Sequence, residues 1–133
     1  MAQNPQILFP ALRYRDAHAA IGWLERALGM QRGLVSQTSE GVVMHAEVSI
    51  AGATLMLGSN SEGDDERLEL PSGGGSVYVA LDSPEQVDQL FASATAAGAD
   101  VLMPVTDQPY GSHEFTVADP EGNAWSVGTY RPG

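Results

Sequence analysis

The sequence predicts an α+β domain made of two tandem β-α-β-β-β modules. Two helical segments have their caps and terminal glycines at nearly the same offset in the two halves, Asp16 with Gly29 and Ser83 with Gly98. Each helix is followed by three segments with strand chemistry, and the last two form a β-hairpin. The whole chain, residues 1–133, is the length of one domain. Because each half is too short to bury its own sheet, the halves should pair, within one chain or between two copies.

Module one covers about residues 5–59. Asp16 is a good N-cap, and the helix after it has an apolar stripe at helical spacing until Gly29 ends it. Ala51 and Gly52 make a tight turn between the last two strands. The predicted elements are a strand over residues 7–14, a helix between Asp16 and Gly29, and strands over 30–37, 41–50 and 53–58.

Module two covers about residues 76–131 and follows an acidic, glycine-rich linker over about residues 60–75. Ser83, Pro84 and Gln86 have the pattern of an N-cap, a proline at the first helical position and a capping box. The predicted elements are a strand over residues 77–81, a helix between Ser83 and Gly98, a strand over 100–105 and the terminal hairpin.

The terminal hairpin lies within residues 110–130 and turns at residues 119–123. Pro120 presets φ for a turn, and Gly122 with Asn123 tolerates positive φ. Apolar and polar residues alternate on both arms, so one face must pack against another element, most simply a helix. The apolar positions of that face are Phe115, Val117, Trp125 and Val127.

The composition excludes several classes of function. The chain has no cysteine, which excludes disulfides, thiolate nucleophiles and cysteine metal ligands and favours a cytoplasmic location. All six cationic residues are arginine, so Schiff-base chemistry and a P-loop lysine are excluded. A formal charge of -11 argues against nucleic acid or an anionic membrane as partner and suits a cationic ligand. No signal peptide is visible, and no apolar run approaches the ~20 residues of a membrane span.

The duplicated plan, the segment 14–30 and the segment 114–128 together resemble the vicinal oxygen chelate superfamily. This is the group of glyoxalases, bleomycin resistance proteins and extradiol dioxygenases, and the chain resembles its bleomycin-resistance members. The resemblance covers nearly the whole chain. It implies curled mixed sheets with helices on the convex side and a cleft between paired modules on the concave side. The fold alone does not set the activity, since one fold hosts many activities.

In metal-dependent members of that superfamily, four side chains hold a divalent ion through His, Glu or Gln. The resemblance places those positions on Phe9, Met56, Ser76 and Ser126 of this sequence. A phenyl ring cannot bind a metal, and a thioether is a poor ligand for a hard or borderline ion. The resemblance therefore implies neither a metal site nor a cofactor here.

The apolar alternation tests this assignment, because a slip of one residue would turn every side chain to the other face. The positions predicted to face the helices are Leu8, Leu12, Val48, Ile50, Ala53, Leu55, Leu57, Val77, Val79, Leu81, Trp125 and Val127. Phe9, Met56 and Tyr78 then face the cleft and favour a stacking, apolar ligand. Arg13 also faces inward, where it can pair with a ligand carboxylate or with Glu47.

Three residues are candidates for catalysis. His45 and Glu47 lie two residues apart on one strand, which is the spacing of an acid–base pair or of two metal ligands. Glu114 shares the polar face of the terminal hairpin and can reach the cleft. His18 is expected on a helix surface, and His113 near the core or the rim.

The leading interpretation is a metal-independent, small-molecule-binding homodimer that sequesters an aromatic or cationic compound such as an antibiotic. One alternative is a divalent-metal lyase, isomerase or dioxygenase that uses His45, Glu47 or Glu114 as ligands. Another is a metal-free enzyme in which His45 and Glu47 act as the base. The predicted ligand-binding residues are Phe9, Arg13, His45, Glu47, Met56, Tyr78, Glu114 and Ser126.

Overall fold

The computed structural model describes residues 5–60 and 74–133, which form two four-stranded sheets with one helix each. The predicted α+β class and the two tandem modules are confirmed. Residues 61–73, most of the predicted linker, lie outside the described residues. The elements are β1 Ala11–Tyr14, α1 Ala17–Leu28, β2 Gln31–Gln37, β3 Val43–Ile50, β4 Ala53–Ser59, β5 Ser76–Ala80, α2 Pro84–Ala96, β6 Asp100–Asp107, β7 His113–Ala118 and β8 Ala124–Gly128.

Both sheets are mixed and have the same topology. The strand orders are β1-β4-β3-β2 and β5-β8-β7-β6. In each module the first strand runs parallel to the last, and the other pairs are antiparallel. The duplication seen in the sequence is therefore a duplication of topology.

The helix boundaries follow from the predicted caps. The Asp16 carboxylate accepts a hydrogen bond from the Ala19 N–H at 3.0 Å, and Gly29 ends α1 with φ of 64°. Ser83 and Gln86 form the predicted capping box, in which each side chain accepts from the other residue's N–H at 3.3 and 3.1 Å. These local bonds satisfy amides that the first turn of a helix leaves without partners.

The helices bury the apolar faces of both sheets, and the predicted register of the terminal hairpin is confirmed. Val117 pairs with Trp125 across the hairpin, and Phe115 pairs with Val127. The structure buries all four of these side chains completely. The predicted stripe of α1 is buried as well, at Ala20, Ile21, Trp23, Leu24, Ala27 and Leu28.

The two modules of the chain meet through their helices. Among the elements that the structure describes, α1 and α2 are the pair that contact each other across the modules. The Ser93 hydroxyl donates to the Arg26 carbonyl at 3.1 Å across this contact. The polar faces of the two sheets therefore do not cover one another within one chain.

The turn between β7 and β8 forms a second connection between the modules. The Asp119 carboxylate, in a residue only 5% exposed, accepts from the Tyr14 hydroxyl at 2.7 Å and from the Trp125 indole N–H at 3.1 Å. The Glu121 carboxylate accepts from the N–H groups of Arg15 and Asp16 at 2.8 and 2.9 Å, just before α1 begins. Burial and the Asp119 carboxylate raise the pKa of the Tyr14 phenol well above its usual value. The turn thus holds module two to the start of the first helix.

The first strand is shorter than its predicted range, because it begins at Ala11 rather than at residue 7. Pro10 has no N–H to donate, and only its carbonyl pairs, accepting from Met56 at 2.9 Å. Before it, Ile7 is 89% exposed and Leu8 is 82% exposed, so the predicted helix-facing role of Leu8 is wrong. Residues 6–10 lie outside the helices and strands, and we call them the N-terminal segment.

Candidate functional site

A cavity of about 590 Å³ lies between the modules, and we call it the intermodule cavity. One wall is the N-terminal segment with the β3–β4 turn, and the other is β5 with the residues that follow it. Gln6 anchors the N-terminal segment, because its amide donates to the Thr54 carbonyl and accepts from the Thr54 N–H, both at 2.8 Å. The apolar lining includes Phe9, Pro10, Ile50, Leu55, Val77, Val79 and Leu81.

The intermodule cavity also has polar groups. Gln6, Gln86, Asp82 and Arg131 line it, and the Arg131 guanidinium contacts the Asp82 carboxylate at 3.0 Å. Both side chains of this ion pair are mostly exposed, so it adds little to stability and its groups stay available to a ligand. An apolar cavity with a few polar groups is the usual form of a small-molecule site.

A second, smaller groove of about 200 Å³ lies on the polar face of the first sheet, and we call it the module-one groove. Arg13, His45 and Met56 line it. The His45 Nε2 atom lies 2.9 Å from the Glu47 Oε2 atom, and both side chains are partly exposed. The spacing of two residues along β3 therefore does place this pair on one face.

Glu114 lies on the polar face of the second sheet and is buried in a hydrogen-bond network. Its carboxylate accepts from the Tyr110 hydroxyl and from the Ser112 hydroxyl, the latter at 3.2 Å. The hydrogen bond to Glu114 raises the pKa of the Tyr110 phenol to about 12. A Cβ atom at Gly128 would lie 2.7 Å from the Glu114 Cβ, so the strand beside this carboxylate is closely packed. Both carboxylate oxygens are engaged by donors of the chain itself.

The predicted ligand-binding residues lie in three places within one chain. Phe9 and Tyr78 line the intermodule cavity. The module-one groove holds Arg13, His45 and Met56, with Glu47 bonded to His45. On the second sheet, Glu114 lies in its network, and the Ser126 hydroxyl is 2.8 Å from that of Thr116. The sequence did not indicate this division, because it depends on how the helices join the modules.

The residues at the four positions that bind metal in metal-dependent relatives do not fit a divalent ion. Met56 lines the module-one groove, and Phe9 lines the intermodule cavity. Ser76 is exposed at the start of β5, and the Ser126 hydroxyl is bonded to Thr116. Within residues 5–60 and 74–133, no three His, Asp or Glu side chains converge in an arrangement able to hold a metal ion. Phenyl, thioether and hydroxyl groups do not supply the donors that such an ion prefers.

His113 has two carboxylate partners that sequence reasoning missed. Its Nδ1 atom lies 2.6 Å from Asp107 on β6, and its Nε2 atom lies 2.7 Å from Asp88 on α2. Hydrogen bonds to Asp107 and then Asp88 raise the pKa of the His113 imidazole above its usual value of 6.5. Asp88 is 25 residues away along the chain, so no local pattern links it to His113.

This bridge gives stability a dependence on pH. The pKa of His113 is raised in the folded state, so protonated His113 stabilises the fold. This contribution to the free energy of unfolding is complete below about pH 6.5 and is lost as pH rises through the folded-state pKa. We expect the difference in unfolding free energy between wild type and His113→Gln to be largest below about pH 6.5 and to shrink as pH rises through the folded-state pKa of His113. Urea unfolding across that range measures it, and a difference that grows with pH would contradict the bridge.

The chain is similar to known proteins in sequence and in structure. The model of the glyoxalase/bleomycin resistance protein/dioxygenase superfamily matches residues 6–127. An uncharacterized protein of Mycobacterium tuberculosis is 34% identical over 125 residues, which cover 91% of this chain and 72% of that protein. An uncharacterized protein of Mycobacterium bovis is also 34% identical, with 91% and 81% covered.

The solved structures show the same fold. TioX from Micromonospora sp. ML1 has a TM-score of 0.75 and 29% identity, covering 95% of this chain and 99% of that one. A glyoxalase/bleomycin resistance protein/dioxygenase family enzyme from Burkholderia phytofirmans has a TM-score of 0.71 and 18% identity, with 90% of this chain and 94% of that one covered. At that identity the likeness supports the fold alone.

Neither helix of the described residues has the length and apolar character that crossing a membrane requires. The chain therefore belongs to the glyoxalase/bleomycin resistance protein/dioxygenase superfamily.

Proposed function

We propose that this protein is a cytoplasmic, metal-independent small-molecule binder of the bleomycin-resistance type. In this proposal it sequesters an aromatic or cationic compound, such as an antibiotic, in the intermodule cavity. The observation that carries the proposal is the cavity itself, at about 590 Å³. That volume lies within the range of roughly 300–1,000 Å³ that holds drug-sized ligands.

The chemistry of the cavity favours a flat organic guest. Phe9 is 38% exposed and lines the cavity, so one ring can stack on a ligand with little loss of packing elsewhere. Most of the remaining lining is aliphatic, which gains from excluding water. The formal charge of -11 raises the local concentration of cationic compounds around the whole molecule.

The proposal includes a homodimer, as the sequence predicts. Large apolar side chains are exposed on three strands, Leu34 at 58%, Met44 at 59% and Leu102 at 55%. A second copy that covered these side chains would remove apolar surface from water. Sedimentation equilibrium tests this part: a species of twice the chain mass supports it, and a monomer at all concentrations refutes it.

Phe9→Ala is expected to weaken binding of an aromatic ligand by roughly tenfold, because it removes a stacking contact of about 1–1.5 kcal/mol. The measurement is isothermal titration with a panel of aromatic antibiotics. Ile7→Ala is the matched control, since Ile7 is 89% exposed and is not among the lining residues. Absence of saturable heat across the panel with wild type would refute the proposed function.

The second candidate is a metal-free enzyme, which the close His45–Glu47 contact favours. In that function Glu47 orients the imidazole of His45 as a general base, and Arg13 in the same groove binds an anionic substrate group. Turnover of a carbonyl or epoxide compound that is lost in Glu47→Gln would establish it. Stoichiometric metal that survives dialysis and is lost in His45→Ala would instead establish the metal-dependent enzyme.

A further inference from the structure

We propose that the intermodule cavity takes an extended, peptide-like chain, which adds as a strand to the open edge of β5. The inference rests on the proposed function, because it names the class of ligand for the same cavity. Its basis is the direction of the main-chain groups of β5, which the apolar lining alone does not reveal.

The hydrogen bonds of β5 show which of its residues face the cavity. The Leu81 N–H donates to the Gly128 carbonyl at 2.8 Å, and the Gly75 carbonyl accepts from the Ala124 N–H at 2.9 Å. In a parallel ladder alternate residues of a strand bond to the same neighbour. Odd-numbered residues of β5 therefore bond to β8, and Tyr78 and Ala80 direct their N–H and C=O groups to the other side.

That other side is the intermodule cavity. β5 is an edge strand in the order β5-β8-β7-β6, and no described strand pairs with its outer edge. Tyr78 and Ala80 both line the cavity, beside Val77, Val79 and Leu81. Two donors and two acceptors of the main chain thus open into a cavity lined by both apolar and polar residues, where the amides of a ligand can replace water as their partners.

The pattern of these groups matches an extended peptide. Tyr78 and Ala80 are two residues apart, which is a distance of about 6.6 Å along a strand. Every second residue of an extended peptide presents its own N–H and C=O to one side at the same repeat. Peptides that add to a sheet edge obtain affinity from such main-chain bonds and specificity from pockets for alternate side chains. The aliphatic residues and Phe9 supply the apolar walls for those side chains. A flat aromatic compound without amides would bind without using these four groups.

The test uses the capped tripeptide acetyl-Phe-Val-Phe-amide and amide hydrogen exchange followed by NMR. At a probe concentration ten times its Kd, the amides of Tyr78 and Ala80 should exchange about tenfold more slowly. The amides of Val77 and Val79 should change little, because they already bond to β8. The inference would be overturned if the probe slowed exchange equally at all four amides. It would also be overturned if the probe bound without slowing exchange at Tyr78 and Ala80.

Two modified probes provide a control that needs no protein variant. One has an N-methyl group on its valine, and the other has N-methyl groups on both phenylalanines. Since only one set of amides faces β5, one probe should bind roughly tenfold more weakly and the other should bind like the parent. If the two N-methylated probes bound with equal affinity, whether as tightly as the parent or more weakly, addition as a strand would be contradicted.

A protein variant tests the same bond from the other side. Ala80→Pro removes the N–H that faces the cavity, and proline is accepted at outward positions of edge strands. Ala80→Ser keeps that N–H and is the matched control. The tripeptide should lose more affinity in Ala80→Pro than in Ala80→Ser; an equal loss in both variants, with both folded, would count against the bond.

The same titrations separate this inference from the proposed function. If amide-free aromatic compounds bind and the tripeptide does not, the peptide-like ligand class is wrong and the small-molecule binder stands. If neither binds, both proposals fail. If Tyr78 and Ala80 are protected without probe and increasingly so with protein concentration, a second copy occupies the edge and the inference is overturned.

Discussion

Asp119→Ala is expected to lower the free energy of unfolding by about 3–5 kcal/mol. The Asp119 carboxylate accepts from the Tyr14 hydroxyl, from the Trp125 indole and from the N–H groups of Glu121 and Asn123. The alanine variant leaves buried donors without a partner, and each such group costs roughly 1–3 kcal/mol. Tyr14 and Trp125 are completely buried, so water cannot take the place of the carboxylate without rearrangement.

Urea unfolding of Asp119→Ala, Tyr14→Phe and the double variant measures this effect as a cycle. Tyr14→Phe removes one donor and keeps the ring, so the two changes should be strongly non-additive. An additive cycle, or a loss below about 1 kcal/mol in Asp119→Ala, would show that this turn does not join the modules.

Trp125→Ala is expected to destabilise the protein by about 3–5 kcal/mol, the usual cost of removing a large aromatic side chain from a core. Trp125 is completely buried between the second sheet and its helix layer, and it pairs with Val77 on one neighbour and Val117 on the other. The unfolding midpoint of this variant is the measurement.

Trp125→Phe is the control, because it keeps most of the volume and removes the indole N–H that Asp119 accepts. Trp125→Phe should lose less stability than Trp125→Ala. An unfolding midpoint near that of wild type for Trp125→Ala would mean that this side chain faces solvent or ligand instead of the core.

Most of the fold could be predicted because its signals are local. The caps at Asp16 and Ser83 act within three residues, and the alternation in the terminal hairpin sets its register directly. The start of the first strand was missed because Pro10 removes a ladder bond. The link from Asp119 to Tyr14 spans 105 residues, and a turn pattern contains no information about such a partner.

Less of the candidate site could be predicted. The two-residue spacing of His45 and Glu47 on β3 correctly predicted that they lie side by side, because side-chain direction along a strand has a period of two. Whether Phe9 and Glu114 share one cleft depends on how the modules pack, and α1 against α2 sets that arrangement in the described chain. The alternation of main-chain direction along β5 also determines which of its amides face the intermodule cavity. That assignment requires knowing that β5 pairs with β8.

The most direct test of the account is calorimetric titration of aromatic antibiotics and acetyl-Phe-Val-Phe-amide into protein dialysed against a chelator. A metal-independent binder should show saturable binding that the chelator does not change and that Phe9→Ala weakens. Binding that disappears with the chelator and returns on addition of a divalent metal would contradict it.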